Sequence, residues 1–236
     1  VYREEKCVYK YQCVDQILSE ILETYFERTK ENVMKSVKKE FVKIIAIYSP
    51  IHRVGKTSFA IAFGKELAKF KKVLYLNMEE YFGYGEMFEQ IDNGNLGDAL
   101  YYTKQENSNF GLRLRMLVRT IDELDYIPPM PVSLDLKEVL WEEWKVLFKQ
   151  IVEDSVYEVI LLDIGESVQG LLKMLDLCDR IYMPVLEDDV SQEKMRQYEE
   201  NLQKLQLERL MEKTYMFIGL QDIENKMRQL VKEEVL

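Results

Sequence analysis

Gly55-Lys56-Thr57-Ser58 stands between a short β-branched apolar run, residues 44–48, and an amphipathic segment that ends near Phe70. A Gly-Lys-Thr at a strand-to-helix junction surrounds a polyphosphate with backbone N–H groups and a helix N-terminus. Lys56 then reaches the β- and γ-phosphates and the Thr57 hydroxyl reaches Mg²⁺. Arg53-Val54-Gly55-Lys56-Thr57-Ser58 is therefore the candidate cofactor loop, with ATP and Mg²⁺ as its ligands. In the spacing G-x-x-x-x-G-K-[ST] the first glycine falls at Pro50, which fixes φ and has no N–H to offer, so the loop entrance takes another route. The competing reading is a chance Gly-Lys-Thr opening a helix; the strand before it and the periodic helix after it disfavour that.

A Mg²⁺–phosphate site needs an acid on a neighbouring strand end. Asp163, closing the apolar run YEVILLD, is the candidate, and Gly165 two residues on has an N–H that could meet a γ-phosphate. The segment LNMEEYFGYGE offers Asn77, Glu79 and Glu80 at a second strand end. A carboxylate there could orient an attacking water or hold a Mg²⁺-bound one, with a solvated turn as the plain alternative. Glu187, Asp188 and Asp189 read as an acidic cap on the helix that starts near Ser191. His52 is the sole histidine, which excludes a histidine metal cluster and leaves a Ser-His-Asp triad without a visible partner. Arg53 beside it can be a bidentate phosphate donor, to this chain's nucleotide or a neighbour's, or a solvated loop residue.

The elements that must position these groups alternate along the chain. Strands are predicted at 41–48, 71–77, 157–167, 179–185 and 214–219. Helices are predicted at 57–70, 112–124, 136–154, 191–212 and 221–235, with loops and short helices over 78–111. In the helix at 136–154, Val139, Leu140, Trp144, Leu147, Phe148 and Ile151 form the apolar stripe. This order calls for an α/β fold, a mostly parallel twisted sheet with helices on both faces and a ligand crevice at the carboxyl ends of its strands.

Residues 1–40 fall outside that alternation and read as the remnant of a preceding domain plus the charged linker ERTKENVMKSVKKE, or as an ordinary docked N-terminal helix. The chain opens on Val1, which predicts that a native N-terminus has been removed.

The 236 residues are 47% hydrophobic and 31% charged, the composition of an ordinary soluble globular protein. A formal charge of −10 opposes tight nonspecific binding to nucleic acid or to an anionic membrane, and Arg113, Arg115 and Arg119 make only a small basic cluster. Cys7, Cys13 and Cys178 have neither metal-ligand spacing nor an even count, which fits a reducing, cytoplasmic compartment. No apolar stretch is long enough to span a bilayer. The closing helix gathers Ile223, Met227, Leu230 and Val231 on one face, but its polar residues are not basic enough for an interfacial helix, so it is expected to pack on the core.

Taken together, the strand, the loop ending GKTS, the helix, KKVLYLNMEE and YEVILLDIG resemble the MinD/ParA family of P-loop ATPases over residues 40–236. SPIHRVGKTS, with a receiver-like remnant around Lys10-Tyr11-Gln12, is most similar to the TadZ/CpaE branch, which marks sites of pilus assembly. The resemblance implies a homodimer formed on ATP, partners in a localisation or secretion system, and ATP hydrolysis. It puts Lys56, Glu79 and Asp163 in catalytic positions and Thr57 and Asp163 at the metal. It also implies that the family's signature lysine falls at Ile51, and that Asn77 replaces an acid, which predicts weak turnover. The rivals are a metabolic P-loop enzyme, such as a small-molecule kinase or ligase, and a degenerate scaffold that binds no nucleotide. A tyrosine autokinase shares the fold class, but no tyrosine-rich tail follows Tyr215.

Overall fold

Four strands carry nearly unbroken apolar runs, and runs of that kind are buried on both faces. They are β1 (Lys43–Ile47), β2 (Val73–Met78), β5 (Val159–Ile164) and β6 (Arg180–Val185). A computed structural model describes residues 41–83, 94–105, 109–218 and 223–235, so the remnant read at 1–40 and the glycine-containing stretch 84–93 lie outside the described residues. With β3 (Arg119–Ile121), β4 (Leu124–Ile127) and β7 (Thr214–Ile218), the strands form one seven-stranded sheet in the order β3-β4-β2-β5-β1-β6-β7. Every pairing is parallel except β3 with β4.

The two-residue period of the strands divides the core. Ile44, Ala46, Leu74, Leu76, Ile160 and Leu162 face one layer, with Trp144, Leu147, Phe148 and Ile151 of α5 (Trp141–Asp154). Ile45, Ile47, Tyr75 and Leu161 face the other, with Phe59, Phe63 and Leu67 of α1 (Lys56–Ala68). Helix α1 lies close on the sheet at Gly64, where a Cβ would stand 2.9 Å from a Leu124 methyl and 3.0 Å from one of Leu161.

Three expected helices end differently. The one placed at 112–124 is α3 (Phe110–Leu117), following α2 (Leu96–Thr103), and residues 119–127 form the β3–β4 hairpin instead. Its turn is Asp122-Glu123, with φ of 47° and 69°; with no glycine there, nothing in the local sequence marks it. The 136–154 helix divides into α4 (Ser133–Glu138) and α5, broken at Val139-Leu140. Leu140 leaves the stripe and is exposed, its N–H donating to Glu143 Oε2 at 2.8 Å to cap α5. After α6 (Leu171–Leu177), the helix expected at 191–212 divides into α7 (Asp189–Lys204) and α8 (Arg209–Glu212) around Gln206, whose φ is 57°.

The closing helix α9 (Ile223–Val235) buries Met227, Leu230 and Val231 in the α1-side core. Its last turn is held by Glu234, whose side chain is fully buried and accepts from Tyr182 Oη at 2.6 Å and Lys43 Nζ at 2.7 Å. Glu234→Ala strands the Tyr182 hydroxyl and is expected to cost about 1–3 kcal/mol, read as an earlier urea midpoint. An unchanged midpoint would show that this carboxylate does not hold the helix.

Candidate functional site

After Ile47 the backbone leaves the sheet under close control. Tyr48 N–H donates to Tyr182 O at 3.1 Å, and Ser49 Oγ accepts from Ile51 N–H at 3.1 Å. Ile51 and Val54 then turn into the core, which drives His52 and Arg53 out to solvent between them. Arg53 has φ 59°, and Gly55, the residue that caps α1, has φ 77° and ψ 28°. Only glycine occupies that left-handed region without strain, so Gly55 fixes where the loop becomes helix. Val54, with its side chain buried, can serve a ligand only through its backbone, while Ser58 faces outward.

Helix α1 begins at Lys56, whose side chain is mostly buried and crosses the carboxyl ends of two strands. Its Nζ lies 2.7 Å from Glu79 Oε1, just after β2, and 3.1 Å from Ile164 O on β5; it also sits 5.7 Å from the centre of the Tyr48 ring. Glu80 turns the other way, to Lys137 Nζ of α4 at 3.1 Å. Gly165 fits beneath Glu79: a Cβ there would stand 2.9 Å from Met78 O and 3.0 Å from Glu79 Oε2. Its N–H donates to Met78 O at 3.2 Å, so the group considered for a γ-phosphate joins the two strand ends in this structure. His52 Nε2 reaches Glu166 Oε2 at 3.3 Å, tying the loop tip to the segment after β5.

Asp163 is fully buried, in register with both Ile47 and Asn77. Its Oδ2 accepts from Tyr75 Oη at 3.0 Å and Asn77 Nδ2 at 3.3 Å; its Oδ1 has no hydrogen-bond partner among the described residues. Burial raises its carboxyl from the ordinary 3.8 to about 6, opposed first by a side-chain hydrogen-bonding interaction with Thr57, and then by Lys56 and Tyr75, while Glu79 adds to the rise. The sequence therefore located the strand-end acid but not its partners. Tyr75 lies two residues before Asn77 on the same face of β2, and that period was the available signal.

The raised value has a stability consequence. The fold favours protonated Asp163, so this contribution is fully present below about pH 4 and is lost as pH rises through about 6. The shift from 3.8 to about 6 corresponds to about 3 kcal/mol. Asp163→Asn is therefore expected to stabilise the protein by about 1–3 kcal/mol near pH 7.5 and by almost nothing near pH 4. Urea titrations at both values check this; an equal gain at both would refute the electrostatic cause.

Three other residues singled out in the sequence make capping or packing contacts. Asp188 caps α7, accepting from Ser191 N–H at 3.0 Å and Ser191 Oγ at 2.6 Å, which is the cap expected there. Arg113 stacks on the Tyr102 ring at 4.7 Å. Cys178 is buried, donates to Met174 O, and has its thiol pushed up to about 12 by burial. Among the described residues no helix is long and apolar enough to cross a membrane.

Solved structures share this fold. A ParA family ATPase from Chlorobium tepidum TLS superposes with a TM-score of 0.60 at 16% identity, over 75% of this chain and 73% of that one. The fold is that of the ParA/MinD ATPases. A putative plasmid partition protein from Borrelia burgdorferi B31 bound to AMPPNP matches at 0.57 and 23% identity, over 76% and 75% of the two chains. The Aquifex aeolicus MinC:MinD cell division complex matches at 0.54 and 18%, over 75% and 68%. No family model and no curated protein sequence matches the chain. Within this ParA/MinD-like fold the loop lies between β1 and α1, and Lys56, Glu79, Asp163 and Gly165 meet at the carboxyl ends of β1, β2 and β5.

Proposed function

We propose that this chain is an ATP-binding positional switch of the ParA/MinD type, in which Mg²⁺-ATP at Arg53–Ser58 orders the segments after β2 and β5 and creates a homodimer surface. The carrying observation is the convergence of Glu79 and the Ile164 carbonyl on Lys56 Nζ. A phosphate entering the loop takes the place of the Glu79 carboxylate on Lys56, so ligand binding moves the segment after β2 and is felt at β5. The AMPPNP carried by one similar structure, and the partition and cell-division roles named for others, support this reading.

Thr57 and Asp163 fit Mg²⁺, because Asp163 Oδ1 is buried with no geometric hydrogen bond among the described residues and the Thr57 side chain interacts with the same carboxyl. Among the described residues no cluster of three His, Cys, Asp or Glu could cage a metal, so phosphate oxygens and water complete the shell, as is usual for this ion. The ion would neutralise charge on the β- and γ-phosphates. Hydrolysis through Lys56, Glu79 and Asp163 is slow in this reading. Ile51, standing at the signature lysine, is sealed in the core, and the neutral Asn77 replaces an acid; exposed Arg53 is the cation left to reach a partner's phosphates. The finer assignment, to the pilus-assembly branch with partners in that system, rests on SPIHRVGKTS and the residues before Phe41.

Calorimetry of ATP and ADP with Mg²⁺, with light scattering on the same samples, tests the proposal. Both nucleotides are expected to bind and only ATP to double the scattering mass; a chain that binds neither is not a nucleotide switch.

A further inference from the structure

Beneath the loop, three polar side chains lie in a layer otherwise made of Ile45, Ile47, Phe59, Phe63 and Leu161. Tyr75 and Asn77 are each only 1% exposed and Asp163 is fully buried. Their hydrogen bonds run in one direction. Glu79 N–H donates to Asn77 Oδ1 at 3.0 Å, which fixes the amide with its nitrogen toward the sheet. Asn77 Nδ2 donates to Tyr75 Oη at 2.9 Å and lies 3.3 Å from Asp163 Oδ2; Tyr75 Oη donates to that same Oδ2 at 3.0 Å. Both neutral donors thus converge on one oxygen of Asp163, and the other, Oδ1, is left buried and unpartnered among the described residues.

Such a network is not the stable way to fill a strand. Apolar residues at 75 and 77 would cost no desolvation, and a buried polar group without a partner is costly. What the network does achieve is orientation. With Oδ2 held by two donors, the Asp163 carboxylate cannot rotate freely, and Oδ1 is left with no geometric hydrogen bond among the described residues. An acid at position 77 would set a second carboxylate against Asp163, whereas the amide and phenol leave Asp163 as the sole acid of the trio.

We infer that Tyr75, with Asn77, is a positioning residue that holds Asp163 Oδ1 toward the metal side of the nucleotide site. This rests on the nucleotide reading above. Tyr75 donates to Asp163 Oδ2, so its effect on the metal is expected to pass through that carboxylate, and the double variant separates this route from a general loss of structure.

The experiment is calorimetric titration of ADP into the full chain, with magnesium chloride and again with EDTA. It compares the unsubstituted protein, Tyr75→Phe, Asp163→Asn and the double variant. Tyr75→Phe is expected to leave magnesium-free affinity unchanged and to reduce the enhancement by magnesium about 10-fold, at the lower end of the 10–100-fold effects of groups that orient metal ligands. In the Asp163→Asn background Tyr75→Phe is expected to have no further effect, because its route to the metal is gone. Equal losses with magnesium and with EDTA, an undiminished enhancement, or additive losses in the double variant would each overturn the positioning role. Failure of the unsubstituted chain to bind ADP under either condition is a separate result: it removes the nucleotide reading, and the inference with it.

Discussion

Lys56→Ala is expected to weaken ATP and ADP binding by about two orders of magnitude and to abolish ATP-dependent dimerisation, with little change in thermal stability. The ammonium is mostly buried and already holds one anion, Glu79, at 2.7 Å. Truncating one partner of a desolvated, hydrogen-bonded charge pair costs about 2–5 kcal/mol of binding, and nothing else among the described residues reaches the same point from the floor of the loop. The fold tolerates the loss better than the ligand does. Glu79 keeps 23% of its side-chain surface in solvent and can turn outward, and α1 is anchored by Phe59, Phe63 and Leu67. Calorimetry beside a thermal melt separates the two effects. Unchanged affinity would reduce Gly55-Lys56-Thr57-Ser58 to a structural turn.

Trp144→Ala is expected to bring the largest loss of stability. Trp144 is completely buried, stacked on Phe148 at 6.2 Å and 18°, at the centre of the α5 face. Emptying that volume costs about 3–5 kcal/mol, a large part of the 5–15 kcal/mol that holds a typical domain together. Trp144→Phe is expected to cost much less. The indole Nε1 is buried with no partner among the described residues, so phenylalanine removes an unsatisfied donor, worth about 1–3 kcal/mol, while leaving a smaller void. Urea midpoints for the two variants decide; equal costs would show that the indole N–H is satisfied in solution.

What the sequence determined by itself was everything carried by local pattern. The unbroken apolar runs at 44–47, 73–76 and 159–162 announced doubly covered strands, and their alternation with helices implied a parallel sheet. Gly55-Lys56-Thr57-Ser58 announced the loop because the residue types that bind phosphate are contiguous there. Asp163 stood out because an ionisable group ends an otherwise apolar strand. The β3–β4 hairpin was illegible, since its turn uses Asp122 and Glu123 at positive φ where a glycine would have signalled it. The breaks at Leu140 and Gln206 were hidden in the same way, in residues that ordinarily continue a helix.

Tertiary structure alone decided how the site is wired. β5 inserts between β1 and β2, and only that order brings Asp163 opposite Asn77 and beneath Lys56. Residues 56, 79 and 163 are far apart in the chain, and no spacing rule states that Lys56 pairs with Glu79 or that Ile51 faces the core while Arg53 faces solvent. The two donors on Asp163 Oδ2 come from β2 and the acid from β5, so their hydrogen bonds exist only once the strands are in register. Local sequence specifies which backbone shape a segment can adopt, whereas contacts between strands depend on the order in which the sheet brings them side by side.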